Sequence, residues 1–145
     1  ELGVGAVIVP DLPYEEKQEM EGAAKAHQVA LVSMIAPTSR ERIQMIAREA
    51  EGFIYVVSSL GVTGVRSEID TDLKSMVESI RQVTDVPCAI GFGISTPGQA
   101  RQMAQLSDGA IVGSAIVKII ARDGEQAGPA IHAYVKEMKE AVARA

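Results

Sequence analysis

The 145-residue chain has one cysteine, no tryptophan, two phenylalanines and three tyrosines. One thiol cannot close an intrachain disulfide or build a cysteine-based zinc site, which excludes a disulfide scaffold and points to a reducing, cytoplasmic setting. Positive charge is also scarce: 14 Lys and Arg stand against 19 Asp and Glu, a net charge of −5. Without a basic block or a set of stacking aromatics, nothing suits a nucleic-acid surface. No uninterrupted apolar run approaches the roughly 18–20 residues of a membrane helix. The opening Glu1-Leu2-Gly3-Val4-Gly5 has neither an initiator methionine nor the basic start of a signal peptide. It reads as a helix tail and glycine cap running into a strand, so the sequence is expected to be a piece of something longer.

What is present is apolar and periodic. Of the residues, 47% are apolar, enough for one hydrophobic core. Five β-branched apolar runs occupy residues 4–9, 29–35, 53–58, 88–92 and 110–112. None alternates apolar with polar, so each is expected to be a parallel strand buried on both faces. Their starts lie 25, 24, 35 and 22 residues apart, the spacing of a repeated βα unit.

Helical stretches fill the gaps. Residues 14–27 follow Pro13, and Thr38-Ser39-Arg40-Glu41 offers a capping box for a helix through Ala50 with Ile43, Ile46 and Ala47 inward. Asp70 or Thr71 is expected to open a third helix carrying Leu73, Val77 and Ile80, and Thr96-Pro97 a fourth through Leu106. A short extra helix spans residues 114–121. Pro129 starts a last amphipathic helix with Ile131, Val135, Met138 and Val142. No linker divides the chain, which is expected to form a single unit over residues 1–145. Periodicity alone leaves two α/β architectures open, a doubly wound sheet or part of a (β/α)₈ barrel.

The loops separate them. Gly61-Val62-Thr63-Gly64, Gly91-Phe92-Gly93-Ile94-Ser95 and Gly113-Ser114-Ala115-Ile116 all follow strands. Any one of these glycines also suits a helix cap or tight turn. A phosphate site from the loops after the last two strands plus a short extra helix recurs in barrels, so the three loops with that helix are expected to bind a phosphate. Neither a dinucleotide fingerprint nor a P-loop occurs.

Together with Pro10-Asp11-Leu12-Pro13-Tyr14-Glu15-Glu16, Tyr55-Val56-Val57-Ser58 and Gly113-Ser114-Ala115-Ile116-Val117-Lys118, these loops resemble the tryptophan synthase alpha chain family. The resemblance runs in order along the whole chain, from about barrel strand four through helix eight. It implies a TIM-barrel fold, here about five βα units of a partial barrel. It implies a lyase of tryptophan biosynthesis, cleaving indole-3-glycerol phosphate to indole and glyceraldehyde 3-phosphate without a cofactor. The implied partner is a beta chain, to which PLP belongs. By resemblance, Gly64, Gly93, Gly113 and Ser114 hold the substrate phosphate, Thr63 lies in a mobile loop, and Tyr55 and Phe92 line the pocket. The same resemblance implies that Asp11 and Pro13 face the beta chain. The family's catalytic Glu and Asp fall before residue 1, so no catalytic residue is assigned in this chain.

Simpler roles are available for several of these groups. Tyr55 and Phe92 also suit a core, and Asp11-Leu12-Pro13 suits a strand-to-helix turn. Ser58 and Ser59 lack the elbow and partnered histidine of a nucleophile. His27 and His132 are expected in solvent, Cys88 in the core, and the charge run Glu15-Glu16-Lys17-Glu19-Glu21 on a wet helix face. No metal site is expected. Two further functions remain in view: another sugar-phosphate barrel enzyme, an isomerase or epimerase, and a non-catalytic half-barrel that binds a phosphate or a partner.

Overall fold

A computed structural model describes residues 3–58, 66–91 and 93–145. Its strands are β1 (Ala6–Val7), β2 (Ala30–Leu31), β3 (Ser33–Ile35), β4 (Ile54–Val57), β5 (Cys88–Gly91) and β6 (Gly109–Ile111). Its helices are α1 (Gln18–Ala26), α2 (Arg40–Arg48), α3 (Arg66–Arg81), α4 (Pro97–Leu106), α5 (Ser114–Asp123) and α6 (Gly128–Val142). All strand pairs are parallel. β2 and β3 are one extended run, interrupted at Val32, that pairs first with β1 and then with β4.

Spatial order therefore follows chain order from β1 to β6. A doubly wound sheet would reverse direction at a switch point; this arc has none, which is the signature of a barrel wall. Strand order thus settles what periodicity left open: the chain is a partial barrel. Among the described residues, no helix is long and apolar enough to cross a membrane.

The core lies between the helices and one face of the sheet. Ile35, Ile54, Val56, Cys88 and Ile90 project there against Ile43, Ile46 and Ala47 of α2, Leu73, Val77 and Ile80 of α3, and Ala100 and Met103 of α4. The opposite face behaves differently. Tyr55, Val57 and Ala89 alternate with those buried residues and are only half-covered. The expectation of strands buried on both faces is corrected: the sequence is apolar on both faces, but helices cover only one.

Local signals explain most boundaries. Thr96 caps α4 through a closed capping box with Gln99, with Pro97 in the first turn. At α2 the expected box does not close. Ser39, not Thr38, is the cap, accepting a hydrogen bond from the Arg42 amide, so the third helical position holds Arg42 instead of Glu41. α3 begins at Arg66, ahead of the expected Asp70 or Thr71, since Arg66, Glu68 and Ile69 carry no helix breaker. On α6, Val135 is 43% exposed, and Tyr134 packs toward the core in its place beside buried Met138. Cys88 is buried, and His27 and His132 are exposed.

Candidate functional site

Because the strands run parallel, the loops after β5 and β6 open on the same rim of the sheet. There they enclose a cavity of about 350 Å³. Tyr55 and Ile111, from the half-covered sheet face, form its floor. Gly93, Ile94 and Ser95 make one wall; Gly113, Ser114 and Ala115, with Lys118, make the other.

The β5 loop is held from several directions. Gly93 has φ of +77°, a left-handed conformation that side-chain-bearing residues rarely adopt. Beyond it, the amides of Ser95 and Thr96 both donate to the Gln99 side chain, at 2.9 and 3.1 Å. The Tyr134 hydroxyl on α6 donates to the Ser95 carbonyl at 2.9 Å. The loop's shape is thus tied to two helices.

The opposite wall is the start of α5. Gly113 precedes it and provides no side-chain cap. The Ile116 and Val117 amides turn back to the Gly113 carbonyl at 2.9 and 3.1 Å. The Ser114 and Ala115 amides have no intrahelical acceptor and stand at the positive end of the helix dipole. No acidic residue occupies the first turn. This wall offers N–H donors and positive potential, the requirements of an anion.

Tyr55 reaches the cavity over a glycine. A Cβ at Gly91 would collide with the Tyr55 hydroxyl and two of its ring carbons, so the phenol lies across β5 only because residue 91 has no side chain. Burial holds the phenol pKa above its ordinary value, leaving the hydroxyl a protonated hydrogen-bond donor at neutral pH.

Of the residues singled out in the sequence, Tyr55, Gly93, Gly113 and Ser114 converge on this one cavity. Thr63, Gly64 and Phe92, like Ser59, lie outside the described residues. Asp11 and Pro13 sit elsewhere, both exposed, on the turn after β1, where the Leu12 amide donates to the Val9 carbonyl at 3.2 Å. Pro13 lines a second cavity of about 300 Å³ between that turn and Met34, Thr38 and Arg42. Arg42 clamps the turn's far end by donating to both carboxylate oxygens of Glu15, at 2.6 and 3.1 Å. Tyr134 and Lys118 have no candidate role in the sequence reading, and Gly91 enters it only as the first residue of a glycine loop. Helical spacing offers a signal only for Lys118, four residues after Ser114 and so on the same helix face.

The family model described as tryptophan synthase alpha chain matches residues 1–143. The chain is 48% identical to the tryptophan synthase alpha chain of Lacticaseibacillus casei over 142 residues, covering 98% of this chain and 53% of the relative. It is 49% identical to that of Lactiplantibacillus plantarum, covering 97% and 53%. Among solved structures, tryptophan synthase subunit alpha from Campylobacter jejuni matches with a TM-score of 0.79 at 30% identity, over 97% of this chain and 53% of that one. The subunit from Legionella pneumophila str. Paris matches with a TM-score of 0.80 at 30% identity, over 99% and 53%. The chain spans about half the length of the curated relatives it matches. A matching family model, shared sequence along the whole chain and the same sequential parallel arc agree: the chain belongs to the tryptophan synthase alpha chain family.

Proposed function

We propose that this chain supplies the phosphate-binding half of a lyase site that cleaves indole-3-glycerol phosphate to indole and glyceraldehyde 3-phosphate, in the cytoplasm. The observation that carries the reading is the convergence of Tyr55, Gly93, Gly113 and Ser114 on one cavity at the rim of the sheet. The Ser114 hydroxyl, the amides at the start of α5 and the Gly93 backbone would hold the phosphate, with Gly64 completing the cradle. Tyr55 would direct its hydroxyl toward the glycerol chain. Phe92 would line the indole pocket and Thr63 would belong to the loop that closes over substrate.

Retro-aldol cleavage needs a proton delivered to the indole ring carbon and one removed from a glycerol hydroxyl. None of the described residues around the cavity carries a carboxylate, so the proposal assigns both proton transfers to carboxyl groups outside residues 1–145, one acting as acid and one as base. The chemistry requires no cofactor of this chain. Asp11 and Pro13, exposed on their turn, would meet the beta chain, whose PLP consumes the indole.

The test is indole release from indole-3-glycerol phosphate, by the 145-residue chain alone and mixed with the amino-terminal half of a full-length relative. We expect no turnover alone and measurable turnover in the mixture. Turnover by residues 1–145 alone would overturn the assignment of the acids. Tighter binding of a pentose phosphate than of the indole glycerol ester would favour an isomerase or epimerase.

A further inference from the structure

The donors assigned above to the phosphate are neutral, whereas a phosphate monoester carries between one and two negative charges near pH 7, with a second pKa of about 6. Lys118 is the one cationic residue among the described residues lining the cavity, and no Asp or Glu is among them. Among the described residues, Lys118 has no ion-pair or hydrogen-bond partner. Lys17, Lys25 and Lys74 each pair with a glutamate, and Lys136 and Lys139 on α6 are, among the described residues, unpaired like Lys118 but do not line this cavity. Its place on α5 sharpens the contrast. A lysine gains from the negative end of a helix, yet this one stands a single turn from the positive end, where no acidic side chain offsets it. Among the described residues, two positive features face one cavity with no acidic side chain to neutralise either.

We propose that Lys118 is the charge-balancing contact of this pocket, and that it gives the site its preference for the doubly charged form of a phosphate ester. The proposal rests on the phosphate reading above and adds a residue to it. The Lys118 ammonium closes over the anion from the Ser114 face of α5, while the backbone donors fix orientation. The two contributions are separable. The amides read shape, and the ammonium reads charge.

The experiment is titration of the 145-residue chain, complexed with the amino-terminal half of a full-length relative, with inorganic phosphate and with glycerol 3-phosphate, followed by amide chemical shifts between pH 5 and 8, for the unmodified chain, Lys118→Met, Lys118→Arg and Ser114→Ala. In the unmodified chain, affinity is expected to rise with pH as phosphate takes its second charge. Lys118→Met is expected to weaken binding on the order of tenfold at pH 7.5, the scale of one charge-assisted hydrogen bond, and to flatten the pH profile. Lys118→Arg is expected to retain the profile. As a second readout, phosphate should shield the Lys118 amine from acetylation while leaving Lys136 on α6 reactive. If Lys118→Met binds phosphate as tightly as the unmodified chain, with the same pH profile, while Ser114→Ala weakens it, the role of Lys118 is overturned and the phosphate reading stands. If the unmodified chain binds neither probe, both fall.

Discussion

Tyr55 and Gly91 form a pair that only geometry reveals. The phenol occupies the space a side chain at residue 91 would fill, so Gly91→Ala must displace the ring or the strand. Forcing one methyl into such a contact costs about 1–3 kcal/mol. Thermal denaturation is expected to show that loss for Gly91→Ala, and to show much of it recovered in the double variant with Tyr55→Ala, where the clash is absent. Additive losses would mean that the two positions do not meet. The sequence marks Gly91 as one more strand glycine and Tyr55 as a strand tyrosine. Which residue faces which across β4 and β5 depends on register, and register is a property of the sheet. The cavity residues Gly93, Gly113 and Ser114 were legible for the opposite reason. Each follows directly on its strand, so strand position alone delivers it to the rim.

At the scale of elements, legibility followed how local the cause is. The start of α4 is written in four consecutive residues, Thr96 to Gln99, and the structure closes that capping box. Thr96→Ala is accordingly expected to cost about 0.5–2 kcal/mol in chemical denaturation. The face of α6 was misread because Val135 and Tyr134 both satisfy a helical period; the choice fell to Tyr134, which packs toward the core and whose hydroxyl bonds to the Ser95 carbonyl on a loop 39 positions away. Tyr134→Phe removes that bond while keeping the ring. It is expected to destabilise by about 0.5–1.5 kcal/mol and to shift the Gly93 and Ser95 amide resonances. Unmoved resonances would show that the hydroxyl does not hold the loop. The bond that Arg42 donates to Glu15 spans 27 positions and is equally invisible, the charge run suggesting only solvent. The Arg42 guanidinium lowers the Glu15 carboxyl to about 2. A lowered carboxylate pKa stabilises the fold above the ordinary value near 4.5, and that contribution fades as pH falls toward about 2. A carboxyl resonance of Glu15 titrating near 2, and returning to the ordinary range in Arg42→Met, is the expected signature.

The whole molecule is an arc, and among the described residues its uncovered apolar side chains lie mainly at its two ends. Val4 and Ile8 flank β1 at 52% and 42% exposure, while Val117, Ile120 and Val135 stand on α5 and α6 at 62%, 48% and 43%. The other two of that set among the described residues are Met20 on α1, at 37%, and Met45 on α2, at 39%. Among the described residues, β1 and β6 each pair on one side only, and the sheet face bearing Tyr55, Val57 and Ala89 is half-open. Unpaired N–H and C=O rows are templates for further strands, and contiguous apolar surface drives association. A closed barrel removes both liabilities by joining its first strand to its last. The 145-residue chain, with neither end joined, is therefore expected to sediment as concentration-dependent dimers or larger species. Addition of the amino-terminal half of a full-length relative should replace them with a single discrete complex, because that segment would offer both edges a parallel strand and the open face a cover. A clean monomer with a sharp, cooperative melt would show instead that five strands and one layer of helices stabilise the arc without closure. In that case the exposed apolar residues at its ends would carry no drive to associate.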